Sequence, residues 1–228
     1  MEVGVEVERI LSSEVEVYTL TISFPLAFFK IPYTVKTRKT YLIPRKKAIL
    51  SIFNAFFRNQ FSFWKIKDKD KEEKESKLVN ALVGAEVLNY NKLVETQRII
   101  QIKANKSERP PSKTEMLVNA RYALYLLPQF EIKIEEFPIN YYPFAGQNDY
   151  LCEYWKINKE KARLIEIENQ EIHLENYQLV PKTNFRLLKD SSIIIENELE
   201  DYIVVKGNIY IEGKNYLINI NGTNVLLY

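Results

Sequence analysis

The sequence predicts an α+β protein, with a ferredoxin-like N-terminal domain over residues 1–155 and a β-rich C-terminal part over 156–228. Three observations carry this reading. Residues 14–24 alternate, with Tyr18, Leu20, Ile22 and Phe24 on one face and Thr19, Thr21 and Ser23 on the other, the pattern of a half-buried strand. Ile49, Ile52, Phe53, Phe56 and Phe57 recur at helical spacing behind Pro44, a residue suited to a first helical position, which predicts a helix over 44–58. Beyond Lys156, short β-rich pieces (165–174, 193–195, 202–205, 209–211, 216–220, 225–228) are punctuated by Gly207-Asn208, Gly213-Lys214 and Asn221-Gly222 at the spacing of hairpin turns, which predicts a meander.

The remaining elements fit between these. Residues 24–43 form an extended, proline-punctuated basic segment, so the chain opens strand, loop, helix, as a ferredoxin-like unit does. Residues 67–77, KDKDKEEKESK, contain no apolar side chain and read as a solvated loop or a frayed helix start. Residues 82–90 and 96–104 are β-rich segments on either side of Asn91 and Lys92. Pro110 and Pro111 then forbid regular structure, and Lys103, Lys106, Arg109 and Lys113 flank them, so the region near 96–114 reads either as a protruding basic hairpin or as a plain basic loop. Residues 118–127 look like a return strand in which Arg121 can point outward while its neighbours pack. Pro138, Pro143 and Gly146 favour loop and turn over 130–149, and 150–155 begins a strand or a short helix.

Charge is balanced overall and sorted locally. The net charge is +2, which excludes a globally basic protein, so any nucleic-acid contact must come from a patch. Such a patch is visible: residues 17–67 hold no Asp or Glu, yet include Lys30, Lys36, Arg38, Lys39, Arg45, Lys46 and Lys47. Arg45, Lys46 and Lys47 fall in the first turn of the predicted helix, where unpaired N–H groups and the macrodipole favour anions. Cations there suit a phosphate cradle, with Tyr33, Tyr41 and Tyr122 as stacking or hydroxyl partners and Arg121 as a further cation. A solvated basic face that balances acids elsewhere is the competing reading. Phe28 and Phe29 divide between core and surface, since alternation lets only one face outward. Asp190, Glu196, Glu198, Glu200 and Asp201 make the C-terminal part a poor RNA surface and a fair protein-facing one.

Nothing in the sequence demands catalysis, a metal or a cofactor. His173, between Glu171 and Glu175, reads as a strand-surface histidine, because acidic neighbours would repel a phosphate. The carboxylates at Asp68, Asp70, Glu72, Glu73 and Glu75 lie in a charge run without apolar framing, and there is no P-loop or GxGxxG. Cys152 is the only cysteine, which rules out an internal disulfide and a thiolate metal site, fits a reducing cytoplasm, and reads as buried or inert. The start, MEVGVEVERI, is unlike a signal peptide, and no apolar run approaches the ~20 residues that span a bilayer. A soluble, cytoplasmic protein is expected.

The run Phe28, Phe29, Lys30, Pro32, then Tyr41, Pro44 and the helix at 48–57, resembles the conserved segment of CRISPR-associated protein family five. LVNARYALYL at 117–126 and YPFAGQNDYL at 142–151 are similar to later pieces of that family, and the likeness runs in order over roughly 15–150. Ser51 and Asn54 stand where many members carry glycines. The resemblance implies an RRM-like fold of the RAMP superfamily and a role in antiviral defence as a type I Cascade subunit, most like the archaeal I-A branch. It further implies that the chain caps the five-prime handle of crRNA within a hetero-oligomeric complex and touches the backbone subunit (Cas family seven) and the large subunit. The thumb-like hairpin would wedge against guide bases or the backbone subunit. Members that process guide precursors use a Tyr with a Lys-His pair, and no such pair exists here. The alternatives are a metal-independent endoribonuclease acting on CRISPR precursor RNA, and a scaffold that touches only protein.

Overall fold

The computed structural model describes residues 12–32, 37–58, 80–97, 112–128, 131–146, 150–182, 185–194 and 202–228. The alternation of the first strand runs past both predicted ends: β1 covers Ser12–Ala27, with Leu20, Ile22 and Phe24 fully buried and Thr19, Thr21 and Ser23 partly exposed. Three two-residue strands follow, β2 (Phe29–Lys30), β3 (Thr37–Arg38) and β4 (Thr40–Tyr41). The helix, α1, spans Lys46–Asn54, shorter than 44–58 at both ends: Arg45 is its N-cap and Ala55 its C-cap. Its apolar stripe of Ile49, Leu50, Ile52 and Phe53 joins the buried core that also holds Leu20, Ile22 and Phe24 of β1, as its spacing requires.

The two β-rich pieces expected around Asn91 and Lys92 are one strand. β5 (Leu82–Gln97) pairs antiparallel with β6 (Ser112–Leu127), from Leu82↔Leu127 out to Gln97↔Ser112, and absorbs the irregular stretch as register shifts between Val87 and Asn91. The two strands form a ribbon whose β5 side is exposed over 91–95 while Thr114, Met116 and Leu117 on the β6 side are buried; Lys103, Lys106 and Arg109 of the expected thumb-like hairpin lie outside the described residues.

The C-terminal part also has fewer, longer strands than predicted. β7 (Tyr154–Pro181) and β10 (Tyr202–Ile220) are the two longest, flanked by β8 (Phe185–Leu187), β9 (Ser192–Ile194) and β11 (Thr223–Leu227). Only Asn221-Gly222 is a hairpin turn: both residues have positive φ, 52° and 92°, and Ile220 pairs with Thr223 across them, the geometry that two-residue hairpins favour. Gly207 and Gly213, also at positive φ, sit instead at register shifts inside β10: beside Gly207 the extra residues belong to β7, at Gly213 the extra residue belongs to β10, and β10 continues through both.

These strands build a nine-stranded sheet in the order β1-β6-β5-β7-β10-β11, with β3 beside β6 and β8 and β9 beside β10. β7 is long enough to pair twice. Its first part, from Tyr154 to Ile165, runs antiparallel to β1, and Arg163 to Pro181 runs antiparallel to β10. With the Val87↔Tyr177 pair between β5 and β7, the strands β1, β6, β5 and β7 therefore close on themselves. This is a mixed α+β fold, dominated by a multi-stranded sheet with one short helix among the described residues, and it agrees in general terms with a ferredoxin-like, RAMP-type arrangement.

Inside the closure lies a buried carboxylate. Glu86 is 2% exposed and accepts hydrogen bonds from Tyr125 Oη (2.6 Å), Asn176 Nδ2 (3.2 Å) and Gln178 Nε2 (3.2 Å). Burial pushes its carboxyl above the usual range, and the three donors only partly offset that. Gln178 also donates to the Asn224 carbonyl (2.7 Å) and accepts from the Leu226 amide (2.9 Å), so the network ties β5 and β7 to β11.

Candidate nucleic-acid interface

The N-terminus of α1 has the composition the sequence indicates and lacks the usual remedies. Arg45 makes no capping bond through its side chain, and no acid stands in the first turn. The Arg45 carbonyl accepts from the amides of Ala48 (2.8 Å) and Ile49 (3.1 Å), which starts the helix. Lys46 is half-buried, and that burial holds its ammonium below the usual lysine range; among the described residues no carboxylate pairs with it. Lys47 is exposed. Cations at this end each cost about 0.3–1 kcal/mol of helix stability.

Arg45 connects this turn to the basic segment before it. Its guanidinium carbon lies 3.9 Å from the centroid of the Tyr41 ring, a cation–π contact. Tyr41 sits in the β2–β4 hairpin, paired with Phe29, while Lys30 pairs with Thr40 and the Ile31 amide donates to the Lys39 carbonyl (2.9 Å). The Thr40 hydroxyl fixes the hairpin from within, accepting from the Phe29 amide (2.9 Å) and donating to the Tyr41 carbonyl (3.1 Å). Lys30 and Lys39 are exposed on this hairpin, and next along the chain β3 lies parallel to β6, with Thr37 opposite Lys113 and Arg38 opposite Thr114. The fold thus brings Lys113, which the sequence assigns to the basic insertion near 96–114, beside Thr37.

Several site residues are placed differently from the sequence expectation. Tyr122 is fully buried and Tyr41 is 5% exposed, so neither ring offers a face for a base to stack on. The Tyr122 hydroxyl donates to the Leu42 carbonyl (2.9 Å), and its ring meets Phe29 edge-on at 6.0 Å; it fastens the hairpin to the sheet. Phe28 and Phe29 are core as well. Arg121 is exposed, as alternation requires of the neighbour of a buried Tyr122, but it lies on the opposite face of β6, 5.7 Å from the Tyr154 ring and apart from the α1 cluster. Tyr33 and Lys36 lie outside the described residues.

The sequence gives no sign of a cavity of about 250 Å³ between the β2–β4 hairpin, the ribbon and β9. Leu117, Ile31, Thr40 and Leu42 are its most buried lining, Ile194 and Tyr90 also line it, and Lys39, Lys92 and Glu115 supply its charged groups. Lys92 Nζ lies 2.9 Å from Glu115 Oε2. The only local hint is polar Asn91 and Lys92 interrupting an otherwise strand-like run; the pairing of Lys92 with Glu115 is a matter of register.

The groups considered for chemistry are placed away from this interface. His173 is exposed on β7 with Nδ1 2.7 Å from Asn208 Oδ1, a strand-surface histidine. Cys152 is buried, which pushes its thiol up to about 11, far from a reactive thiolate. Among the described residues, no three His, Cys, Asp or Glu side chains group as metal ligands, and no helix is long and apolar enough to cross a membrane.

No protein-family model and no curated protein matches the sequence. Among solved structures, the chain is similar to a CRISPR protein from Archaeoglobus fulgidus, with a TM-score of 0.56 and 14% identity over 93% of this chain and 98% of that one. It also aligns with a chain of a CRISPR RNA-guided surveillance complex, with a TM-score of 0.43 and 10% identity over 87% of this chain and 91% of that one. At 14% identity the first likeness establishes the fold: the chain has a CRISPR-associated fold, distantly related to a known CRISPR structure.

Proposed function

We propose that this chain is a non-catalytic RNA-binding subunit of a type I CRISPR surveillance complex. In this reading it holds the five-prime handle of the guide RNA and contacts the backbone and large subunits. The observation that carries it is the N-terminus of α1, where Arg45, Lys46 and Lys47 stand against the helix dipole with no acid in the first turn and a half-buried ammonium at Lys46. Helix stability alone selects the opposite charge there. Phosphate resolves the conflict: the first-turn amides and the lysines present the same sign of potential to it, and Lys30, Arg38 and Lys39 add positive charge in the segment that precedes the helix. The likeness to an archaeal CRISPR protein over nearly the whole of both chains supports the assignment.

Binding of this kind works by charge and shape. Cations track the backbone, and affinity falls steeply with salt, by about 0.7 in log–log slope for each single-strand phosphate neutralised. The test compares the double charge reversal Lys46→Glu with Lys47→Glu against Lys189→Glu with Lys206→Glu, an equal charge change at exposed lysines of the C-terminal part. The first pair is expected to weaken binding of a short single-stranded RNA by about tenfold or more and to flatten the salt slope; the second should change it little. Equal effects from both pairs count against the cradle. Cleavage of repeat RNA in EDTA, abolished by His173→Ala or Tyr41→Phe, would replace the binding role with an endoribonuclease.

A further inference from the structure

We infer that the cavity between the β2–β4 hairpin, the β5–β6 ribbon and β9 receives one unstacked base of the bound strand, and that Glu115 makes it prefer bases carrying an exocyclic amine over uracil. This rests on the RNA-binding reading above and adds to it a base-specific contact.

Size and lining define the occupant. At about 250 Å³ the cavity lies below the roughly 300–1,000 Å³ of pockets that take drug-sized ligands, so it suits a single planar ring system. Leu42 and Leu117, 5% and 1% exposed, offer apolar contact, and Tyr90 places an aromatic side chain in the lining. Apolar side chains and an aromatic side chain beside polar and charged groups are how proteins hold splayed RNA bases. The charges explain why the base would come from a nucleic acid. Lys39 and Lys92 line the cavity and Arg38 precedes Lys39 in the chain, so cations border the cavity where the phosphates flanking an inserted base must pass.

Glu115 supplies the discrimination. Its side chain is only 15% exposed, and Lys92 Nζ holds it at 2.9 Å. A carboxylate accepts at about four lone-pair sites and donates at none, so the ion pair leaves accepting capacity facing the cavity. Cytosine offers an N4 amine and adenine an N6 amine to such an acceptor. Uracil carries a carbonyl oxygen where cytosine carries the amine, and two acceptors repel.

The test uses the full chain with fluorescein-labelled ten-nucleotide homopolymers of C, A and U at one fixed salt concentration, read by anisotropy. Wild type should bind the C and A oligonucleotides about tenfold more tightly than U. Glu115→Gln, whose amide both donates and accepts, should reduce that preference to less than about twofold by raising U binding toward that of C and A. Ile194→Trp, which fills the cavity from the β9 side, should bring C and A down to the U level without changing U; circular dichroism verifies that both variants are folded. Equal wild-type affinity for all three oligonucleotides, or a preference that survives both variants, overturns the cavity inference and leaves the phosphate cradle standing. Failure of every oligonucleotide to bind overturns the RNA-binding reading itself, and this inference with it.

Discussion

The two ends of α1 face the same electrostatic problem and solve it differently. At the C-terminal end the last carbonyls are satisfied by the protein: Asn140 Nδ2 donates to the carbonyls of Asn54 and Phe57 (2.7 Å each), and the amides of Ile139 (2.9 Å) and Asn140 (3.1 Å) donate to Ala55. Tyr141 adds a hydrogen bond from its hydroxyl to the Ser51 carbonyl. No glycine cap is needed, because the loop at 131–146 folds over the end and does its work. At the N-terminal end there is no side-chain cap, no acid, and three basic residues. One end is closed for stability, and the other keeps the potential an external anion would use. The contrast separates a folding requirement from a binding one within nine residues of helix.

Removing the part both ends share should have the largest effect. Phe53→Ala empties a fully buried site in the core beneath the helix and is expected to cost about 3–5 kcal/mol, with RNA binding and stability lost together in urea titration and anisotropy. Asn140→Ala should break the C-terminal end alone, costing about 1–3 kcal/mol of stability in the same titration, with RNA affinity of the folded protein within about twofold of wild type. The charge reversal at Lys46 and Lys47 should separate the ends most sharply, because its signs differ: acids in the first turn should raise stability by about 0.3–1 kcal/mol while weakening RNA binding. If stability and affinity fell together there, the first turn would be structural and the asymmetry between the ends would vanish.

The smallest effect is expected from Glu86, which touches neither end. Its carboxyl titrates higher in the folded chain than in the unfolded one, so over that interval the native state binds more protons, and stability falls as pH rises from the usual value near 4.5 through the raised folded value. Thermal unfolding followed from pH 4 upward should show this decline in wild type, and Glu86→Gln should flatten it. RNA affinity at fixed pH and salt should be the same in both. An unchanged pH profile in the variant would show that burial of Glu86 is fully offset by its three donors.

Much of the scaffold was legible because it is written in local periodicity. β1, the apolar face of α1 and the outward Arg121 beside an inward Tyr122 all follow from spacings of two or of about 3.6 residues. Ends and joins were less legible. Gly207, Gly213 and Asn221-Gly222 all take positive φ, and sequence alone reads them alike as turns; the strand opposite decides whether the chain reverses or bulges and continues, and β7 runs on beside the first two. The same distinction governs the candidate site. The sorting of cations into 17–67 was visible, whereas the burial of Tyr41 under Arg45 depends on how the hairpin docks, and a Tyr in a basic segment looks identical whether its ring is stacked on by a base or covered by a guanidinium.

The sequence by itself determined that β1 is a half-buried strand and α1 a helix with one apolar face, that positive charge gathers at the start of α1, and that a lone cysteine can form no internal disulfide. Only the tertiary structure decided that Lys113 stands beside Thr37, that Glu115 reaches Lys92, and that a cavity opens between a hairpin, a ribbon and a strand far apart in the chain. Periodic patterns report which face of an element is wet or dry, because hydrophobic burial acts residue by residue along that element. They carry no record of register between distant strands, which is set by many weak contacts at once, and it is register that assembles a site.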